Sequence, residues 1–151
     1  MSQDVSVRIS SESISPAEIL AGMASEEHGG ECSFVGRVRA HNVGRQVKGI
    51  AYDVHEVLAV KSIERIVQEA RERWELDAHV RVVHRQGHLH VGESSVVVAV
   101  TTRHRDEAFR ICRYVIDELK HRTPIWKKEY YSDGESQWVQ GHALCQHRQD
   151  A

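Results

Sequence analysis

The segment from Ser95 to Thr102 constrains the fold of this chain more than any other. It reads Ser-Val-Val-Val-Ala-Val-Thr-Thr, an almost unbroken run of β-branched residues. A strand with one solvated face alternates apolar and polar side chains, whereas a continuous apolar run is typical of a strand buried on both faces. We therefore predict a central strand here, which requires other elements to pack against both of its faces.

Other segments supply the neighbours that such a strand needs. Strand patterns occur at Val5–Ile9, Cys32–Arg39, Gly49–His55, Ala78–Arg85, Ile125–Tyr131 and Ser136–Gln140. Helix patterns predict a short helix that begins at Ser15-Pro16 and ends near Ser25, an amphipathic helix over Leu58–Trp74, and a helix that follows Arg105 and stops at Pro124. Glycines predict loops at His41–Arg45 and Gln86–Glu93.

Chain length, net charge and the length of apolar runs limit the class of protein. A chain of 151 residues is long enough for one core, and we expect one domain over residues 1–141 followed by a polar tail over 142–151. The net charge of −2 argues against a general nucleic-acid binder. No apolar run approaches the ~20 residues that span a bilayer, and the first residues do not resemble a secretory signal. We therefore expect a cytoplasmic protein.

Cysteines and histidines are the residues to consider for metal chemistry. The three cysteines lack CxxC spacing, which argues against a disulfide framework or a zinc knuckle; they are Cys32, Cys112 and Cys145. The first two lie on apolar faces and are predicted core residues. His84, His88 and His90 lie close together, but only Glu93 nearby could complete a ligand set. We predict ordinary strand and loop histidines and no metal.

The segment from Leu119 to Glu129 carries the most concentrated group of cations. It ends the third predicted helix with Lys120, breaks at Pro124 and restarts as a strand that carries Lys127. The apolar Trp126 lies among the basic residues, which favours a packed wall over a freely solvated patch. Such a wall would hold the two lysines at fixed positions.

Two further pairs of cations occur elsewhere in the chain. Arg37 and Arg39 lie two residues apart on a predicted strand, so their side chains point the same way and could grip one phosphate or carboxylate. His104 and Arg105 lie where the central strand leads into a helix, whose N-terminus favours anions. With the lysines, these pairs predict a site for a small anion. The alternative for the arginine pair is a solvated strand face.

If the chain is an enzyme, lysine is the residue expected to carry its chemistry. The sequence contains no Ser-His-Asp set, no phosphate-binding glycine loop and no paired-carboxylate motif. At its ordinary pKa a lysine is protonated at neutral pH and has no free electron pair, but desolvation and neighbouring cations lower that pKa and make it a usable base or nucleophile. The alternative is that Lys120 and Lys127 are surface charges.

Four blocks of residues together resemble one known family. The blocks are Phe34-x-Gly36-x-Val38-Arg39-x-His41-Asn42-x-Gly44, His84-Arg85-x-Gly87-x-Leu89-x-x-Gly92-Glu93, Thr101-x-x-His104-Arg105-x-x-Ala108-Phe109 and Leu119-Lys120-x-Arg122-x-Pro124-x-Trp126-Lys127-Lys128-Glu129. In this order and at these distances they closely resemble the large, catalytic subunit of molybdopterin synthase. The resemblance extends over about residues 5 to 140.

The resemblance implies a fold, a reaction and partners. The implied fold is a single α/β (α+β) domain, with a hammerhead-like α/β portion and an additional antiparallel β-sheet. The implied enzyme is a sulfurtransferase of molybdenum cofactor biosynthesis, which puts two sulfurs into cyclic pyranopterin monophosphate (precursor Z) to form the dithiolene of molybdopterin. The sulfur arrives as a thiocarboxylate on the C-terminal Gly-Gly of a small ubiquitin-like subunit. Two catalytic subunits form a homodimer within a heterotetramer, and no cofactor is implied.

The resemblance also implies roles for particular residues. The implied substrate-binding residues are Arg37, Val38, Arg39, His104, Arg105, Lys120, Lys127, Lys128 and Glu129. Lys120 is expected to position the thiocarboxylate and assist proton transfer, and Lys127 to stabilise charge on the substrate, although either lysine could be the base. Each sulfur transfer would pass through an oxyanion-like state, which explains the need for cations.

Two other functions compete with this interpretation. The first is a metal-dependent phosphoester-processing enzyme that uses His84, His88 and His90. The second is a non-catalytic module that binds the acidic C-terminus of another protein. Bound metal would favour the first, and an absence of turnover would favour the second.

Overall fold

A computed structural model describes residues 4–138 of the chain. The helices within these residues are α1 (Pro16–Leu20), α2 (Glu56–Trp74) and α3 (Arg105–Arg122). The strands are β1 (Val5–Ser10), β2 (Gly30–Arg37), β3 (His41–Asn42), β4 (Arg45–Val54), β5 (His79–Arg85), β6 (Gly87–His90), β7 (Ser94–Thr102), β8 (Ile125–Tyr131) and β9 (Ser136–Trp138). The predicted tail, and with it Cys145, lies outside the described residues.

The first sheet is built around β7, in the order β1-β5-β7-β2. β1 runs parallel to β5, and the other two pairs are antiparallel. Val96, Val98 and Val100 belong to the same core cluster as the buried faces of α2 and α3. Val97 and Ala99 belong to a second cluster with residues of α1. The predicted burial of this strand on both faces is therefore confirmed.

Helices α2 and α3 pack against each other and against one face of the first sheet. The fully buried side chains along their apolar stripes include Ile63, Ile66, Val67, Ile111, Val115 and Leu119. α3 carries Asp106 and Glu107 in its first turn, where acidic side chains suit the helix dipole. At its end the Thr123 amide donates to the Leu119 carbonyl, and Pro124 follows. Within residues 4–138, no helix combines the length and apolar character that a membrane crossing requires.

The second sheet extends from the first and carries the segment rich in cations. Its strand order is β3-β4-β8-β9, and β6 also pairs with β4. All its pairs are antiparallel. At Gly49 a side chain would place its Cβ 2.9 Å from the Leu89 carbonyl oxygen, so only glycine allows β4 and β6 to approach this closely. The mixed α/β fold with an added antiparallel sheet agrees with the expectation.

One loop prediction was wrong in part. Residues 87–90, within the predicted loop Gln86–Glu93, form β6. Gly87 and Gly92 adopt φ values of +88° and +91°, so the glycines mark the turns at each end and not the segment between them. Between them Leu89 is buried while His88 and His90 are exposed, which is the alternation of a strand.

Element ends account for the other differences from the sequence predictions. The first helix stops at Leu20, before Gly22 takes a φ of +78°, and does not continue to Ser25. β2 ends at Arg37 instead of Arg39, where its register with β7 shifts. The predicted loop after it contains the short strand β3, and the last two residues of the predicted Ser136–Gln140 strand lie outside the described part.

The two described cysteines are free thiols. Cys112 is buried, as predicted, whereas Cys32 is only half-buried and packs against the same core cluster. Burial and the neighbouring Cys32 raise the pKa of the Cys112 thiol. A thiol in this environment stays protonated and acts as a small apolar side chain.

A cavity at the interface between α3 and the first sheet is expected to destabilise the folded protein. Ile111 is fully buried there, so Ile111→Ala is expected to lower the free energy of unfolding by about 2–5 kcal/mol. Arg113, on the same helix, has a side chain 83% exposed, and Arg113→Ala should change the value by less than about 0.5 kcal/mol. Urea denaturation of both variants checks this, and equal effects would show that the apolar stripe of α3 does not hold the fold together.

Candidate active site

A cleft of about 60 Å³ opens where the end of β2 and the β3–β4 hairpin meet β8. The polar and charged residues that line it include Arg37, Arg39, His41, Asn42, Lys127 and Glu129, and Val38 also lines it. This volume accommodates one anionic group with a few waters and not a whole multi-ring substrate. The cleft therefore suits the charged end of a larger molecule that lies across its mouth.

The pleat of β8 determines which of its charges reach the cleft. Side chains on a strand alternate between faces, and Lys127 and Glu129 both line the cleft. Lys128 lies between them in sequence and faces the other way, with its ammonium 5.5 Å from the ring centroids of both Tyr130 and Trp138. Of the three charged residues predicted here, the structure brings two into the cleft and places Lys128 outside it.

Glu129 is a buried carboxylate with a full set of partners. Its side chain is 3% exposed and accepts hydrogen bonds from Asn42 Nδ2 at 2.7 and 2.9 Å and from the Tyr131 hydroxyl at 2.9 Å. Burial by itself would raise the pKa of Glu129, but these hydrogen bonds and the charge of Lys127 outweigh it, and the pKa lies below its ordinary value. Glu129 is therefore ionised at neutral pH.

Lys127 pairs with this carboxylate and shares the cleft with two arginines. Its ammonium is 3.4 Å from Glu129 Oε1, and its side chain is 22% exposed. Arg37 and Arg39 are both exposed and line the same cleft, and Arg37 donates a 3.4 Å hydrogen bond to the Gly92 carbonyl. The cleft is thus lined by three cations of Lys and Arg and by one carboxylate, which leaves a positive surplus for an anion from outside.

Lys120 lies in the last turn of α3 and is half-buried. Burial and, to a smaller extent, the positive charge of Lys120 lower the pKa of His84. His84 is 1% exposed, and its Nδ1 lies 2.6 Å from the Arg85 carbonyl oxygen. Burial lowers the pKa of His84 to about 4, so the imidazole is neutral at neutral pH. The Tyr52 ring meets His84 edge to face at 4.8 Å and also lines the cleft. His84 thus lies within range of the Lys120 charge and contacts Tyr52 of the cleft, whereas Lys120 is not among the residues that line the cleft.

His104 and Arg105 lie at the other end of the same helix. Fifteen residues separate Arg105 from Lys120, which corresponds to about 22 Å along a helix axis. Both residues are exposed, and His104 occupies the N-cap position without a side-chain capping bond. The structure thus brings Arg37, Arg39 and Lys127 to one cleft, whose lining does not include Lys120. His104 and Arg105 lie at the opposite end of α3 from Lys120.

The histidines proposed as metal ligands do not converge. His84 lies in the core with Nδ1 against a backbone carbonyl, whereas His88 and His90 are exposed on β6. His88 instead stacks obliquely against Tyr130 at 5.3 Å. Among residues 4–138, no group of three potential ligands is arranged around a common point. The geometry gives no support to a metal-dependent enzyme at these positions.

Sequence reasoning assigned no role to three residues that shape the cleft. They are Asn42, Tyr52 and Tyr131. The strand period could have indicated Tyr131, since it shares a face of β8 with Lys127 and Glu129. Asn42 belongs to the first block of the family resemblance, but nothing in the sequence indicates its partner Glu129, which is 87 residues away in the chain.

Comparisons with known proteins agree with this architecture. The family model described as MoaE protein matches residues 9–122. A relative from Synechococcus elongatus named molybdopterin synthase catalytic subunit is 48% identical over 123 residues, which cover 82% of this chain and 74% of the relative. A relative of the same name from Pyrococcus abyssi is 40% identical and covers 82% of each chain.

A solved structure shows the same fold. The crystal structure of molybdopterin synthase from Staphylococcus aureus superposes with a TM-score of 0.81 at 31% identity, covering 94% of this chain and 100% of that one. The family match and the identity to named relatives both extend over most of the chain. The chain therefore belongs to the MoaE family, together with relatives named as catalytic subunits of molybdopterin synthase.

Proposed function

We propose that this chain is the catalytic subunit of a molybdopterin synthase, a sulfurtransferase of molybdenum cofactor biosynthesis. In this role it transfers two sulfurs, one from each of two thiocarboxylated small-subunit molecules, to cyclic pyranopterin monophosphate and forms the dithiolene of molybdopterin. The observation that carries the proposal is the cleft in which Lys127 lies with Arg37 and Arg39 above the buried Glu129. The family of the chain defines the reaction, and the cleft provides the charges that this reaction needs.

The charges of the cleft fit both reactants. The substrate carries a phosphate, and the thiocarboxylate of the sulfur donor is also an anion, so each is drawn to a surplus of cations. When the sulfur adds to the substrate, negative charge develops on oxygen, and fixed cations stabilise that charge best in a site with little water. We assign the substrate anion to Arg37, Arg39 and Lys127, and the incoming thiocarboxylate to Lys120.

The sulfur donor is the first proposed partner. In the proposed reaction a small ubiquitin-like subunit threads its C-terminal Gly-Gly past Lys120 to reach the substrate. A slender tail is the only part of a folded protein that could reach a cleft of about 60 Å³. We place the reaction in the cytoplasm, because the two described cysteines are free thiols, as expected in a reducing compartment.

A second copy of the chain is the other proposed partner. His104 and Arg105 do not line the cleft of their own chain, and they lie about 22 Å along α3 from Lys120. A two-fold dimer that sets the start of α3 against the partner's cleft would give each site its full set of cations. We propose that each cleft takes these two residues from the other copy of the chain.

Reconstitution tests the reaction. The full-length chain, mixed with a thiocarboxylated small subunit and cyclic pyranopterin monophosphate, should form molybdopterin. Lys127→Ala should lower the rate by about 10²- to 10⁴-fold, because the cleft loses the cation nearest its buried carboxylate. The matched control is Lys61→Ala, since Lys61 is exposed on α2. The product is measured after oxidation to its fluorescent derivative.

The same assay separates an enzyme from a binding module. Affinity for the small subunit is measured alongside turnover by titration calorimetry. Lys127→Ala should lose turnover while it keeps partner affinity within a few-fold. A wild-type chain that binds the small subunit tightly and forms no product would instead identify a non-catalytic binder of the tail.

Mixing two inactive variants tests the sharing of residues between copies. Arg105→Ala and Lys127→Ala dimers should each be nearly inactive. After subunit exchange in equal amounts, activity should return to roughly a quarter of the wild-type value, because half of the dimers are mixed and each mixed dimer has one intact cleft. No recovery, with exchange verified by mass spectrometry, would show that both residues act within one chain.

A further inference from the structure

The hydrogen bonds of Glu129 leave no room for a ligand on its carboxylate. Oε1 accepts from Asn42 at 2.7 Å and faces the Lys127 ammonium at 3.4 Å. Oε2 accepts from Asn42 at 2.9 Å and from the Tyr131 hydroxyl at 2.9 Å. Both oxygens are thus engaged by the protein, and the side chain is only 3% exposed. A negative group in this position would also repel an anionic substrate.

We infer that Glu129 is a positioning residue for Lys127, and that Asn42 and Tyr131 act on the reaction by holding Glu129 in place. This inference rests on the proposed function and adds to it two residues, Asn42 and Tyr131, whose side chains need not touch the substrate. It also changes the role expected for Glu129, from binding the substrate to orienting the cation that does so.

The physical need for such a support lies in the lysine side chain. A lysine has four rotatable side-chain bonds, and fixing them costs up to about 2 kcal/mol of conformational entropy. A single carboxylate at 3.4 Å offsets that cost only if the carboxylate itself cannot move. A buried carboxylate also needs donors to replace its lost hydration. Asn42 and Tyr131 meet both requirements.

Tyr131 is itself held from outside the cleft. The Arg45 guanidinium lies 3.6 Å from the centre of its ring. Arg45 in turn donates to Asp133 and to Glu135, both at 2.9 Å. The Tyr131 amide donates to the Glu135 carbonyl at 2.9 Å and thereby closes the turn between β8 and β9. The phenol therefore has a fixed ring and one hydroxyl directed at Glu129.

Asn42 is fixed by the hairpin that carries it. It pairs with Arg45 across a turn in which Val43 and Gly44 adopt φ values of +48° and +74°. A non-glycine residue in the left-handed region is uncommon, and here it closes a tight two-residue turn between β3 and β4. The hairpin thus delivers Asn42 to Glu129 on one side and Arg45 to Tyr131 on the other.

The protonation state of Glu129 gives the inference a measurable consequence. The groups in contact with it are Asn42 from β3 and Lys127 and Tyr131 from β8. The other polar and charged groups that line the same cleft are His41 from β3, Tyr52 from β4, and Arg37 and Arg39 at the end of β2. Burial would raise the pKa of Glu129, but Asn42, Tyr131 and Lys127 lower it. Removal of a donor leaves the burial unchanged, so the pKa rises and Glu129 takes up a proton at higher pH. Lys127 then loses its counter-ion.

The experiment removes single hydrogen-bond donors and follows pH. Tyr131→Phe deletes one hydroxyl and keeps the ring under Arg45, and Asn42→Ala deletes the amide. The matched control is Tyr130→Phe, because Tyr130 neighbours Tyr131 in sequence but faces Lys128 on the other side of β8. Two quantities are measured in the full-length protein: the titration midpoint of the Glu129 carboxyl carbon by NMR, and the pH dependence of the rate of molybdopterin formation.

In Tyr131→Phe and Asn42→Ala we expect the Glu129 midpoint and the acid limb of the rate profile to move together to higher pH. The rate near the wild-type acid limb should fall about tenfold for the loss of one hydrogen bond to a charged group. Tyr130→Phe should leave both quantities unchanged. Tyr131→Phe keeps the test valid if Asn42→Ala does not fold.

Two results would overturn the inference. One is a Glu129 midpoint that stays at its wild-type value in both variants. The other is a rate that falls by the same factor at every pH, as a general loss of folded protein would cause. If the wild-type chain forms no molybdopterin, the proposed function fails, and the Glu129 midpoint together with the order of the Lys127 side chain in Tyr131→Phe still decides the positioning role.

Discussion

The burial of β7 on both faces is the constraint on which the rest of the structure depends. One face of the strand needs α2 and α3, and the other needs α1. Because α3 must lie along the sheet, its two ends are held about 27 Å apart by its 18 residues. The position of every cation that α3 carries follows from this requirement of the core. The need to cover both faces of the apolar strand β7 therefore determines where the charged residues of α3 lie.

The second sheet has a different requirement, since it contains a charged side chain that is buried away from water. Its inner face brings a buried carboxylate, a lysine and Tyr52 to one cleft, and the Tyr131 hydroxyl donates to that carboxylate. The carboxylate is tolerable there because three neighbouring donors replace its hydration. The first sheet supplies rigidity, and the second supplies a polar network that only a rigid support could keep aligned.

Periodicity predicted the parts of this architecture that depend on neighbours in sequence. The central strand and the two long helices follow from apolar patterns, and the break at Pro124 follows from proline chemistry. β6 was missed because a four-residue strand exists only through its pairing with β4. The bond between Asn42 and Glu129 was missed for the same reason, since it joins residues 87 positions apart. The charges of the site were visible in the sequence, whereas their partners, and which of them meet in one chain, depend on the fold.

The neutral histidine beneath the site has a consequence for the acid tolerance of the fold. His84 has its pKa lowered from an ordinary value of 6.5 to about 4 by burial. Below pH 6.5 the unfolded chain takes up this proton and the folded chain does not, so stability falls as the pH drops from about 6.5 to 4 and levels off below that. The loss across this window amounts to about 3 kcal/mol, a large share of the stability of an ordinary domain. The buried imidazole that contacts Tyr52 of the cleft therefore also sets a lower limit of pH for the whole molecule.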